Sequence, residues 1–165
     1  MIEVEYIASP TAQKLHNSTK VVRGFMGPVG NGKSVACIME ILRLAATQEP
    51  SSQGIRKTRW AIIRNTTPEL RTTTLNTFRQ WIPETICPIT LHPLISGKLE
   101  QPFSDGTQIA AEFLFLALDQ PNDVRKLLSL EDTGVFNNAA REISFSYVNT
   151  DSERNGQTPD PHDGF

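Results

Sequence analysis

Cysteine and histidine are scarce in this chain of 165 residues: two of the first, Cys37 and Cys87, and three of the second, His16, His92 and His162. None of them stands at a metal-ligand spacing, and two thiols make no disulfide framework, so zinc modules and stapled secreted scaffolds are set aside and a reducing cytosol is the default setting. There is no run of apolar residues approaching the roughly 18 needed to cross a bilayer. The opening MIEVEYIASP has neither the basic stretch nor the apolar centre of a secretory signal. Excess charge of one sign is also missing: the net charge is −2, so any contact with nucleic acid must be local rather than a basic footprint of the whole surface. No internal repeat and no low-complexity tract occurs.

What is present fits one globular domain. Hydrophobic residues make up 38% and charged residues 21%, with Gly 10 and Pro 11. That mixture is too apolar for disorder and too punctuated for a coiled coil, and a chain of this length can bury one real core. Val21 to Met26 reads as a short buried strand, and apolar residues at 35, 38, 39, 42, 45 and 46 predict a helix that Glu49-Pro50 ends. Residues 51–59 read as a loop, Trp60 to Ile63 as a second buried strand, and Thr67-Pro68-Glu69 as an N-cap, a first-turn proline and an acid opening a helix that runs to Pro83. Residues 83–108 read as irregular or hairpin, Ile109 to Leu118 as a strand, Val124 to Leu130 as a short helix, and Gly134 to Phe136 and Ile143 to Val148 as strands. Strands alternating with helices predict an α/β domain with a mainly parallel sheet. Residues 1–148 are expected to form it, with 149–165 a polar tail or linker.

The first strand and first helix are joined by Gly27-Pro28-Val29-Gly30-Asn31-Gly32-Lys33-Ser34. Every fixed position of G-x-x-x-x-G-K-[ST] is filled, a coincidence of roughly once in two hundred chains of this length. The glycines let successive backbone N–H groups turn inward on phosphate oxygens, and the helix that follows adds its unpaired N–H groups and dipole, which reach Val35. Lys33 is placed for the β- and γ-phosphates and the Ser34 hydroxyl for Mg2+. The expected ligand is therefore ATP with Mg2+.

Such a site needs an acid at a neighbouring strand end. Three places compete: Asp119 after Phe113 to Leu118, Glu131-Asp132 after Leu127 to Leu130, and the acid-free Gly134-Val135-Phe136-Asn137-Asn138-Ala139. Composition leaves the choice open.

Three segments taken in order, VVRGFMGPVGNGKSVACIMEILRLA, RKTRWAIIRNTTPELRTTTLNTF and DVRKLLSLEDTGVFNNAAREI, resemble the ATPase domain of the large terminase subunits of tailed bacteriophages. The resemblance covers about residues 8–143. It implies a RecA-like P-loop fold of the additional-strand type with flanking helices, ATP hydrolysis coupled to double-stranded DNA translocation, and as partners a ring of like subunits, a portal protein and a small terminase subunit, in the host cytoplasm. The nuclease domain that usually follows has no counterpart in this sequence.

The resemblance further puts Gly134 to Asn138 at the metal-side strand. Asn138 then contacts Mg2+ or its water, with Asp119 the alternative, and Ala139 stands where relatives carry the water-activating Glu. A chain with alanine there is expected to bind ATP and hydrolyse it a few orders of magnitude more slowly; misalignment would hand the role to Glu142 or Asp119. Arg125 is the arginine-finger candidate and Arg141 its rival. Gln13 is expected near the adenine. Arg64, and the cluster Arg56-Lys57-Thr58-Arg59, are candidates for DNA phosphate or a neighbouring subunit, which a sequence-blind motor would grip by backbone.

Overall fold

A computed structural model describes residues 5–28, 30–119, 133–138 and 143–147. They form an α/β domain. Helix α1 (Pro10–Asn17) precedes strand β1 (Val22–Gly24), and helix α2 (Lys33–Thr47) leads to β2 (Ile55–Arg64). A continuous helical segment follows: α3 (Thr67–Glu69), a π-helical turn (Leu70–Thr74) and α4 (Leu75–Trp81). Then come β3 (Ile89–Thr90), β4 (Ile95–Pro102), β5 (Gln108–Ala117), β6 (Gly134–Asn138) and β7 (Ile143–Tyr147).

The strands join one sheet in the order β1-β7-β6-β2-β5-β4-β3. Only its centre is parallel, β6 and β5 on either side of β2. The other four pairings are antiparallel, so the sheet is mixed rather than mainly parallel. On the β5 side the cause is local: the proline- and glycine-punctuated stretch after residue 83 holds a hairpin, with β4 returning directly into β5 through a turn at Gly106 (φ 85°), and a hairpin makes antiparallel neighbours; on the other side β7 runs against both β6 and β1. Gly97 in β4 is required by close approach, since a Cβ there would stand 2.8 Å from both Cys87 Sγ and Ile89 Cδ1.

The stretch 51–59 is not all loop. β2 begins at Ile55 and pairs residue for residue with β5, from Ile55 opposite Gln108 to Arg64 opposite Ala117. Its first half alternates charged and inward residues, which hides a strand inside a basic cluster; its second half, Trp60 to Ile63, is buried on both faces, as a central strand is. The N-cap is Thr66 rather than Thr67, its side chain accepting from the Glu69 amide at 3.4 Å.

One face of the sheet carries the main core. Trp60, Ile62, Phe113, Phe115 and Phe136 meet Ala36, Cys37, Ile38, Ile41 and Ala45 of α2 and Leu75 and Phe78 of α4. Phe78 lies edge-on to Phe113 and Phe115, with ring centroids 5.0 and 5.1 Å away. Ala61, Ile63 and Leu116 form a smaller cluster of their own. Among the described residues no helix is long and apolar enough to cross a membrane.

Candidate functional site

Strands β2, β5 and β6 run the same way, and β1, antiparallel to β7 as β6 is, shares their direction. The turn after β1 therefore lies at the same edge of the sheet as the ends of β2, β5 and β6. Ligands of open α/β sheets gather outside such carboxyl ends.

That turn is built as its glycines demand. Gly30 (φ 82°) and Gly32 (φ 68°) are both left-handed, a conformation that costs an L-residue roughly 1–2 kcal/mol. A Cβ at either would meet nothing within 4 Å, whereas one at Gly27 would come 3.2 Å from Asn31 Nδ2. The glycines thus border open space. Gly32 is the N-cap of the 15-residue α2 and makes no side-chain cap bond, which leaves the first amides of the helix uncapped by a side chain. Lys33, the first residue of α2, folds its ammonium back over the loop and donates to Gly27 O at 2.8 Å and Pro28 O at 2.5 Å. Ser34 and Val35 follow in the first turn, each half-buried. A left-handed glycine loop with an ammonium and a serine hydroxyl suits a polyphosphate. For Mg2+ one protein hydroxyl is enough, since the ion keeps several waters and takes the rest of its shell from phosphate. Among the described residues no group of His, Cys, Asp and Glu side chains forms a metal cluster by itself.

A cavity of about 440 Å3 opens beside the loop, its lining including Asn31, Gly32 and Val35 together with Tyr6, Ser9, Ala12 and Trp81. Tyr6 stands edge-on to Trp81 at 6.2 Å and to His16 at 5.7 Å. Gln13, on the same helix as Ser9 and Ala12, turns its amide to Ala8 O at 3.2 Å and is exposed.

Behind the cavity, Glu40 of α2 is fully buried. Its carboxylate accepts from Arg23 Nη1 (2.6 Å), from Arg43 Nη2 (2.7 Å) and Nε (2.9 Å), and pairs with His16 Nδ1 (2.7 Å). Arg23 also donates to Leu15 O and Ser18 O, joining β1 to the end of α1. Burial raises the Glu40 pKa, but the bonds from Arg43, His16 and Arg23 outweigh it and hold the carboxyl below its usual range. Motif spacing alone does not reveal this cluster. Its signal was an arginine in the middle of VVRGF and a glutamate flanked by Met39 and Ile41, each a charge at a core position.

The strand-end candidates fare differently. Asp119 is exposed and accepts from the Thr67 amide at 2.8 Å and hydroxyl at 2.5 Å, which commits it to the start of the segment after β2. Arg64 pairs with Glu69 at 3.6 Å. Arg56 bonds Asp105 and lies over the Phe103 ring, and Arg59 bonds Glu112 at 2.7 Å, so two cations of the basic cluster hold acids of the β4–β5 turn and of β5. Asn138 ends β6, and of its side chain nothing is described. Val29, Arg125, Glu131, Asp132, Ala139, Arg141 and Glu142 lie outside the described residues. Set against protein-family models, curated proteins and solved structures, the chain matches none of them.

Proposed function

We propose that the chain is a P-loop ATP-binding domain of RecA-like, additional-strand type, serving a DNA-packaging motor of the large-terminase kind. The observation that carries the binding reading is the loop itself: Gly30 and Gly32 left-handed beside open space, and Lys33, the first residue of α2, lying over the loop carbonyls. The triphosphate takes the inward amides, and Lys33 leaves Gly27 O and Pro28 O for the β- and γ-phosphate oxygens. Ser34 supplies the one protein ligand to Mg2+, which neutralises phosphate charge when bound. Strand β7, standing between β1 and β6, is the additional strand in this reading, although its direction is antiparallel to both.

The motor assignment rests on the three-segment resemblance. It brings double-stranded DNA, a ring of like subunits, a portal protein and a small terminase subunit as partners, in the host cytoplasm. Arg125, or failing it Arg141, supplies the arginine finger, and Asn138 stands on the metal side. A second reading, a nucleotide-responsive module without turnover, is favoured by one feature: Ala139 offers no group to orient water.

Titration with a fluorescent ATP analogue tests the binding reading. Loss of a charge-assisted bond from Lys33 is worth about 1.5–3 kcal/mol, so Lys33→Ala should weaken binding about ten- to a hundredfold. Equal affinity in the variant, at unchanged thermal stability, contradicts the assignment.

A further inference from the structure

We propose that Glu40 is a positioning residue for the nucleoside half of the ligand: through His16 it fixes Tyr6 as one wall of the cavity beside the phosphate loop. The proposal rests on the loop being a phosphate site, and it adds what recognises the rest of the molecule.

The contacts form one chain. Glu40 Oε2 meets His16 Nδ1 at 2.7 Å, and His16 Nε2 meets the Tyr6 hydroxyl at 3.3 Å. A carboxylate at Nδ1 favours the proton on that nitrogen, which leaves Nε2 of the neutral ring to accept from the Tyr6 hydroxyl. Burial, with Cys37 and Glu40 nearby, raises the Tyr6 pKa and keeps that hydroxyl a donor. Tyr6 is then held edge-on to Trp81, and both line the cavity with Val35 and Ala12.

The cavity has the chemistry of a base site. At about 440 Å3 it falls in the size range of small-ligand pockets. Its walls are aromatic and aliphatic, suited to a flat ring, with Glu5 and Ser9 as polar groups. It shares Asn31 and Gly32 with the phosphate loop, so a molecule whose phosphates occupy the loop has its next moiety at the cavity mouth.

Glu40 makes a firm anchor because it cannot move cheaply. A buried carboxylate survives only when paired on every side. Arg23, from the strand entering the loop, and Glu40, from the helix leaving it, tie the loop's two legs together, and the same carboxylate reaches His16. Glu40 is not itself a lining residue of the cavity; its hydrogen bonds reach it through His16 and Tyr6.

The test compares the affinities of the whole chain for Mg-ATP and for inorganic tripolyphosphate, which fills the loop alone, by calorimetry. Trp81 fluorescence is a second signal, with Trp81→Phe as its control. Base–aromatic stacking predicts that the native chain binds ATP at least about tenfold more tightly than tripolyphosphate. Tyr6→Ala and His16→Ala should remove most of that preference and leave tripolyphosphate within about twofold, while Lys33→Ala weakens both. Tyr6→Phe, which keeps the ring and cuts only the link to His16, guards against misfolding in the larger truncations and should lose part of the preference. His16→Gln, able to bond both neighbours, should restore part of what His16→Ala loses. Trp81 emission should respond to ATP and not to tripolyphosphate.

Parallel loss of both ligands in the Tyr6 and His16 variants, or unchanged ATP affinity, overturns the positioning role. A native chain that binds tripolyphosphate as tightly as ATP overturns it too and leaves the phosphate loop standing. A native chain that binds neither ends both.

Discussion

Glu40→Ala should be among the most destabilising single changes in the molecule. Glu40 is 0% exposed and forms ion pairs with two arginines of different exposure, the Arg23 side chain at 5% and that of Arg43 at 44%, while His16 adds a hydrogen bond. Removing the acid leaves Arg43 free to turn to water and Arg23 unable to. Stranding one partner of a buried pair costs about 3–5 kcal/mol, against about 5–15 kcal/mol of total stability for a domain. Arg43→Ala takes two hydrogen bonds from a buried carboxylate that keeps Arg23 and His16, so it should cost about 1–3 kcal/mol, less than Glu40→Ala. Urea unfolding followed by circular dichroism measures both. The pair also sets a pH signature. The folded carboxyl titrates below its ordinary 4.5, so the unfolded chain takes up the proton first on acidification. The contribution is therefore complete above that ordinary value and is lost as pH falls below it, through the depressed native value. The stability gap between the native chain and Glu40→Gln should shrink on going from about pH 6 to about pH 3. A cost for Glu40→Ala below about 1 kcal/mol, or a gap that widens in acid, refutes the buried clamp.

Other outcomes follow from the same geometry. Gly30→Ala meets no atom within 4 Å but keeps φ at +82°, so it should cost about 1–2 kcal/mol of stability by strain alone and a larger share of ATP affinity, read by melting and by titration. Cys37 and Cys87 are both 0% exposed, and burial pushes both thiols up to about 12, so a thiol reagent should label neither until denaturant is added. Ala139→Glu should raise ATP turnover by orders of magnitude if the resemblance aligns the catalytic position correctly; no gain points instead to Glu142 or Asp119 as the water-activating acid.

Some of this protein could be read from its residues because the causes are local. The eight residues from Gly27 to Ser34 specify a turn by glycine's access to positive φ, and Gly30 and Gly32 adopt it. The helix expected from residue 35 is there from Lys33, because its apolar spacing and the Glu49-Pro50 stop are neighbours in sequence. Trp60 to Ile63 and Ile109 to Leu118 declared strands by runs that are apolar but for Glu112, whereas the start of β2 at Ile55 was concealed by charges that alternate on its first half. Tertiary structure decided what long-range pairing alone can decide. No local pattern told that β7 would stand between β1 and β6, or that the hairpin would turn a parallel sheet into a mixed one. Arg23 and Glu40 are 17 residues apart and His16 and Glu40 are 24 apart; each alone looks like a misplaced charge, and only the packing of α1, β1 and α2 makes them partners. The cavity beside the loop has the same origin, for Tyr6 comes to it from the segment before α1 and Trp81 from the end of α4. A phosphate loop is a property of consecutive backbone, and so a sequence can spell it; a pocket wall is a meeting of distant side chains, and so only the fold can assemble it.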